Sequence, residues 1–135
     1  MMTCPRVPGL VSIVITNYYE SAFVTDCLEG ILRQTYPDWE VILVDDASTD
    51  DSLLQVENWL QGNREQLADR IFITVPLPRN IGYAGAVTTG LYLASGEYIV
   101  AQDADDISHH ERLERQVSFL EGRPDIELVG TDYEV

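Results

Sequence analysis

The stretch YIVAQDADDISHHERLERQ, residues 98–116, sets an apolar run, Tyr98 to Ala101, just ahead of three carboxylates in four positions, Asp103, Asp105 and Asp106. Two like unit charges ~4 Å apart cost about 4 kcal/mol at an effective dielectric of 20. A cluster of this kind needs either full solvation or a compensating cation. What surrounds it decides between the two.

Working outward, EYIVA (97–101) reads as a short buried strand. After it, Ser108 and Glu111 have the spacing of a capping box, opening a helix with Leu113, Val117 and Leu120 on one face. Gly122 and Pro124 close that helix. The same alternation fills the rest of the chain. VSIVI (11–15) is β-branched, uncharged and short, and EVILV (40–44) and IFITV (71–75) are further runs of strand length. Residues 21–34 carry Val24, Cys27, Leu28 and Ile31 at helical spacing. Asp50 is placed to cap a helix through Leu53, Leu54, Val56 and Leu60, and asparagine would cap there about as well. Gly82 to Ala94 reads as a helix, and IELVG (126–130) as a fifth strand.

Uniformly apolar strands separated by amphipathic helices predict an α/β fold: a doubly wound, mostly parallel sheet with helices on both faces. Residues 1–9 read as an N-terminal tail and 10–135 as one domain. The chain stops at Val135, just past a predicted strand, which suggests the N-terminal part of a longer protein.

Composition narrows the chemistry. The net charge of −15 argues against nucleic acid or an anionic membrane as partner. All eight basic residues are arginine. The lack of lysine removes Schiff-base chemistry and the P-loop lysine. No run approaches the ~20 apolar residues of a membrane span, and MMTCPRVPGL has no signal-peptide core. Cys4 and Cys27 are too few for a disulfide framework, and a cytosolic chain is the simplest reading.

In a doubly wound sheet, ligands bind beyond the carboxyl ends of the strands. Each predicted strand ends in polar residues: Thr16-Asn17-Tyr18-Tyr19-Glu20, Asp45-Asp46 with Ser48 and Asp50, Arg79-Asn80-Ile81-Gly82, and the Asp103 cluster. Bland readings exist for each. Ser48 and Asp50 suit helix caps. Gly82, Gly85 and Gly90 suit close packing and do not form a dinucleotide fingerprint after the first strand. His109 and His110 suit a solvated first turn. Tyr18 offers a flat face on which a base could stack. If the strand pleat persists, Asp103 and Asp105 share a face. Two carboxylates with no cysteine nearby suit Mg²⁺ or Mn²⁺ completed by substrate phosphate. The alternative is a capped, solvated turn.

With these segments in order, VSIVITNYYESAFVTDCLEGILRQTYPDWEVILVDDASTDDS and RNIGYAGAVTTGLYLASGEYIVAQDADD…RLERQVSFLE, the sequence resembles family 2 glycosyltransferases of the GT-A fold over about residues 10 to 130. The resemblance implies a metal-dependent, generally inverting transfer of a sugar from a nucleotide-diphosphate donor to an acceptor, which could be a glycan, a lipid or a protein. It implies a nucleotide pocket from Thr16, Asn17, Tyr18, Asp45, Asp46, Asn80 and Gly82, with Arg79 beside them. Asp105 is then the surer ligand of Mn²⁺ or Mg²⁺, and Asp103 lies nearer ribose or sugar. The family's asparagine is replaced by Tyr19, and its proline after the acidic cluster by a residue near His110. No motif identifies a catalytic base. The expectation is therefore donor binding without sugar transfer by this chain alone, in the cytoplasm or at a membrane through other parts of the protein. A HAD-like phosphatase and a non-catalytic nucleotide-sugar module are the rival readings.

Overall fold

The structure is a computed structural model describing residues 5–132. Strands and helices alternate in the order β1 (Val7–Asn17), α1 (Val24–Leu32), β2 (Trp39–Asp45), α2 (Ser52–Gly62), β3 (Phe72–Pro76), α3 (Gly82–Leu93), β4 (Gly96–Asp103) and α4 (Arg112–Gly122). All strand pairs are parallel, in the order β3-β2-β1-β4. The chain steps one way from β1 to β3, then returns to place β4 on the other side of β1. That reversal leaves a crevice between the carboxyl ends of β1 and β4, the topological switch point. β1 begins at Val7, inside the segment that reads as a tail in the sequence.

β1 and β2 are sandwiched, which explains their unbroken apolar runs. Ile13, Ile15, Val41 and Leu43 face one core with Val24, Cys27, Leu28 and Ile31 of α1, Val56 and Trp59 of α2, and Leu113 and Val117 of α4. Ile42 and Val44 face a smaller core with Ala86 of α3 and Ala94 just beyond it. α3 lies close against the sheet because its contact positions are small. A Cβ on Gly90 would sit 2.3 Å from Cγ1 of Val14.

At the amino ends of the strands a carboxylate is consumed internally. Glu40, 2% exposed, accepts hydrogen bonds from Ser12 Oγ at 2.6 Å, Ser95 N at 2.8 Å and Ser95 Oγ at 2.8 and 2.9 Å. Buried charge is tolerated when its lone pairs are satisfied in this way.

Two of the expected local structures do not form. Residues 126–130 form no strand. An apolar run becomes a strand only when it pairs, and this one stands off from β4 across a groove of about 500 Å³, with Leu128 exposed. The Ser108–Glu111 capping box also does not form. The helix starts later, at Arg112, and Ser108 Oγ instead donates to Gln102 Oε1 at 2.9 Å.

Candidate functional site

Parallel register brings the polar strand ends together. Asn17 pairs with Asp45 across β1 and β2, and Thr16 with Asp103 across β1 and β4. A cavity of about 400 Å³ opens above them. Its lining includes Thr16, Asn17, Tyr18, Asp46, Asn80, Gly82, Asp103 and Asp105 from the sequence reading, and also Glu20, Tyr83, Ala86 and Ala104. Asp45 and Arg79 are not part of the lining.

Asp45 is instead an organiser. It is 1% exposed, accepts Asn17 Nδ2 at 2.7 Å on Oδ1, and accepts the Ser48 N–H at 3.0 Å on Oδ2. Asn17 Nδ2 also donates to Ser52 Oγ at 2.8 Å, which locks the first-strand loop to the start of α2. Asn17 Oδ1 is buried and, among the described residues, has no hydrogen-bond partner.

Asp46 spans the crevice floor. Its Oδ1 accepts the Ile81 N–H at 2.7 Å and its Oδ2 the Gly82 N–H at 3.0 Å. These are orphan donors at the start of α3, and a carboxylate there also meets the positive end of the helix dipole. Gly82 has φ +83°, a conformation that glycine adopts without steric cost. Asn80 Nδ2 donates to the Asp46 carbonyl at 3.3 Å. Asp46 thus positions the N-x-G segment while its carboxylate borders the cavity.

The acidic cluster is gathered by a turn. β4 ends at Asp103, Ala104 N–H donates to the Thr16 carbonyl at 3.0 Å, and Asp106 N–H donates to the Asp103 carbonyl at 3.1 Å. The strand pleat therefore does not continue to Asp105. Even so, one carboxylate oxygen from each of Asp103, Asp105 and Asp106 lies within 4.8 Å of the others. Asp103 Oδ1 accepts Thr16 Oγ1 at 3.1 Å. Among the described residues, no donor reaches the Asp105 or Asp106 carboxylates. Exposed, unsatisfied oxygens are the donor set a hard divalent cation takes, and they contrast with the saturated Glu40.

Behind the cluster the support is polar and buried. Arg112 Nη1 donates to Gln102 Oε1 at 3.1 Å and to Ser108 Oγ at 3.0 Å. Burial pulls the Arg112 guanidinium below its ordinary range, partly countered by Asp106. Gln102 Nε2 donates to Cys27 Sγ at 3.2 Å. Burial pushes the Cys27 thiol up to about 12, outweighing that hydrogen bond, so this cysteine is an inert core residue. Cys4 lies outside the described residues. Burial first, then the charges of Asp105, Asp103 and Asp50, raise the Glu20 carboxyl. Tyr18 is half-exposed at the cavity mouth, its ring 4.3 Å from that of Tyr19. His109 and His110 are exposed at the turn before α4.

A parallel α/β sheet with an acidic crevice of about 400 Å³ at its switch point is a class of fold that binds small ligands beyond its strand ends. The chain belongs to glycosyl transferase family 2, whose model matches residues 12–134. It is 37% identical over 121 residues to EpsE of Bacillus subtilis (strain 168), covering 90% of this chain and 42% of EpsE. It resembles S. aureus TarS 1–349 in complex with UDP-GlcNAc at TM-score 0.74 and 26% identity, over 85% of this chain and 32% of that one. It resembles the mannosyltransferase PcManGT of Pyrobaculum calidifontis in complex with GDP-Man and Mn²⁺ at TM-score 0.75 and 30% identity, over 82% and 32%. The chain spans about two-fifths of the length of the curated relatives it matches. The sheet is the GT-A type expected, and the phosphatase and non-catalytic readings are not favoured. No helix among the described residues is long and apolar enough to cross a membrane.

Proposed function

We propose that the rim cavity binds the nucleotide-diphosphate part of an activated sugar, and that the whole protein transfers this sugar to a glycan, lipid or protein acceptor. The observation that carries this reading is the meeting of Thr16, Asp46, Asn80, Gly82, Asp103 and Asp105 on one cavity in a family 2 chain. Residues 10–135 are then the donor-binding unit. Tyr18 stacks on the base, and the Asn80–Gly82 segment, held by Asp46, borders base and ribose. Asp45 acts through Asn17, and Arg79 stands outside the lining.

Asp105 and Asp103, with Asp106 adjoining, would hold Mn²⁺ or Mg²⁺. When bound, such an ion neutralises the diphosphate and stabilises it as the leaving group. The transfer is inverting: an acceptor hydroxyl, deprotonated by a base, displaces the nucleoside diphosphate in one step. None of the described side chains is assigned as that base, so donor binding without acceptor-dependent transfer is the expected behaviour of residues 1–135. The cytoplasm is the compartment that fits this reading and the cysteine usage.

Calorimetric titration with UDP- and GDP-sugars, with Mn²⁺ and with EDTA, tests the reading. It predicts Mn²⁺-dependent binding that weakens roughly tenfold or more in Asp105→Asn. Equal binding in EDTA and in that variant contradicts it.

A further inference from the structure

The cavity is lined by four carboxylates, those of Glu20, Asp46, Asp103 and Asp105, and by no arginine or histidine. A diphosphate entering it meets like charge on every side. Three of the four have a place in the site. Asp46 is held by the N–H groups of Ile81 and Gly82. Asp103 and Asp105 belong to the cation set.

Glu20 has no such place. It belongs to the loop after β1, and its part in the fold is played by its backbone: the Glu20 carbonyl accepts the N–H groups of Phe23 at 3.0 Å and Val24 at 2.9 Å. Among the described residues, no donor reaches its carboxylate. Glu20 lines the same cavity as Asp103 and Asp105, and burial together with their charges raises its carboxyl. A second group on the same wall is also unpartnered: Asn17, fully buried, leaves Oδ1 without a donor. The wall thus presents an unpaired carboxylate, with the unpaired Asn17 acceptor buried behind it, and both favour an occupant bringing positive charge.

Resting on the nucleotide-diphosphate reading above, we propose that Glu20 makes occupation of this cavity conditional on a divalent cation. Its carboxylate adds to the attraction that Asp103 and Asp105 exert on the cation, and it repels phosphate arriving without one. Neutralising Glu20 therefore narrows the gap between metal-loaded and metal-free affinity from both sides. Reversing its charge narrows the gap further, because a lysine supplies part of what the cation supplied.

The test titrates the chain with MnCl₂ alone, then with UDP and GDP in Mn²⁺ and in EDTA. The variants are Glu20→Gln, Glu20→Lys and, as a charge-matched control, Glu57→Gln at an exposed position on α2. Circular dichroism checks that each folds, as the unbonded Glu20 carboxylate predicts. Glu20→Gln should weaken Mn²⁺ binding roughly three- to tenfold and shrink the nucleotide gain from Mn²⁺ by at least as much. Glu20→Lys should bind UDP or GDP in EDTA more tightly than wild type, and Glu57→Gln should match wild type. If wild type binds nucleotide with Mn²⁺ but Glu20→Gln matches Glu57→Gln throughout, this proposal alone falls. If wild type binds neither nucleotide at millimolar concentration with Mn²⁺, the nucleotide-sugar reading falls with it.

Discussion

Asp46 Oδ2 accepts the N–H of Gly82 at 3.0 Å, joining the residue that follows β2 to the first residue of α3. With Oδ1 on the Ile81 N–H, both carboxylate oxygens are engaged before any ligand arrives. Asp46→Asn turns an amide NH₂ toward one of those donors. Hydrogen bonds to a charged group are worth ~1.5–3 kcal/mol, so the unliganded protein should lose about that much in urea denaturation. Asp105→Asn, at a position with no hydrogen-bond partner among the described residues, should be neutral or slightly stabilising in the same assay, because it removes like-charge repulsion. Equal losses in the two variants would contradict the division between a positioning residue and a ligand residue.

Ala47 has φ +61°, a left-handed conformation that costs an L-residue about 1–2 kcal/mol. Glycine adopts it freely but gives up roughly 0.5–1 kcal/mol of unfolded-chain entropy. Ala47→Gly should therefore stabilise the fold by up to about 1 kcal/mol, read as a higher thermal midpoint. A lower midpoint would mean that the Ala47 methyl contributes packing that outweighs the strain.

The N-cap of α2 is Asp51 and not the expected Asp50, which instead ties the helix start to the loop before α1. Its Oδ1 accepts Ser52 N at 3.2 Å and Ser52 Oγ at 2.5 Å, while Oδ2 accepts Ser21 N at 3.2 Å from the loop before α1. Burial alone would raise its carboxyl, but the bonds from Ser52 and Ser21 outweigh it and hold the group below its ordinary value of 3.8. Asparagine keeps one arm of this bridge and loses the other, so Asp50→Asn should cost about 0.5–1.5 kcal/mol at pH 7. A depressed carboxyl stabilises above its unfolded value, and that stability is lost as pH falls through the folded one. The gap between wild type and Asp50→Asn should close below pH 3.8. A gap independent of pH would contradict the charge-based account.

Gly90 is where α3 meets the sheet. Gly90→Ala gains helix propensity but drives a methyl into Val14, whose Cγ1 would lie 2.3 Å away. Overpacking of this kind costs ~1–3 kcal/mol. Adding Val14→Ala should return part of that loss, and strict additivity of the two changes in a double-mutant cycle would argue against direct contact.

Much of this was legible in the sequence, for a physical reason. Strand ends announce themselves by a change from apolar to polar residues, and a parallel sheet sets all its carboxyl ends on one rim. Thr16, Asp46, Asn80, Gly82, Asp103 and Asp105 could thus be placed on one rim together. What was not legible depends on register and on partners. Asp45 reads as a ligand until the alignment of β1 with β2 sets it against Asn17. Asp103 and Asp105 do converge, but through a turn and not the pleat. Ser108 has cap chemistry, yet Gln102, six residues back, claims its hydroxyl. IELVG has strand composition and no pairing partner among the described residues. Glu20 stands on the rim without a role in the sequence, because only the folded site shows that, among the described residues, no donor reaches its carboxylate.

The central claim is that the crevice at the strand carboxyl ends binds the nucleotide diphosphate. Amide chemical-shift mapping of the ¹⁵N-labelled chain with UDP or GDP and Mg²⁺ tests it most directly. The account predicts shifts centred on Thr16, Tyr18, Gly82 and Asp105, with Gly9, Ser95 and Gly96 at the opposite end of the sheet unmoved. Shifts centred on that opposite end, or none at millimolar nucleotide, would contradict it.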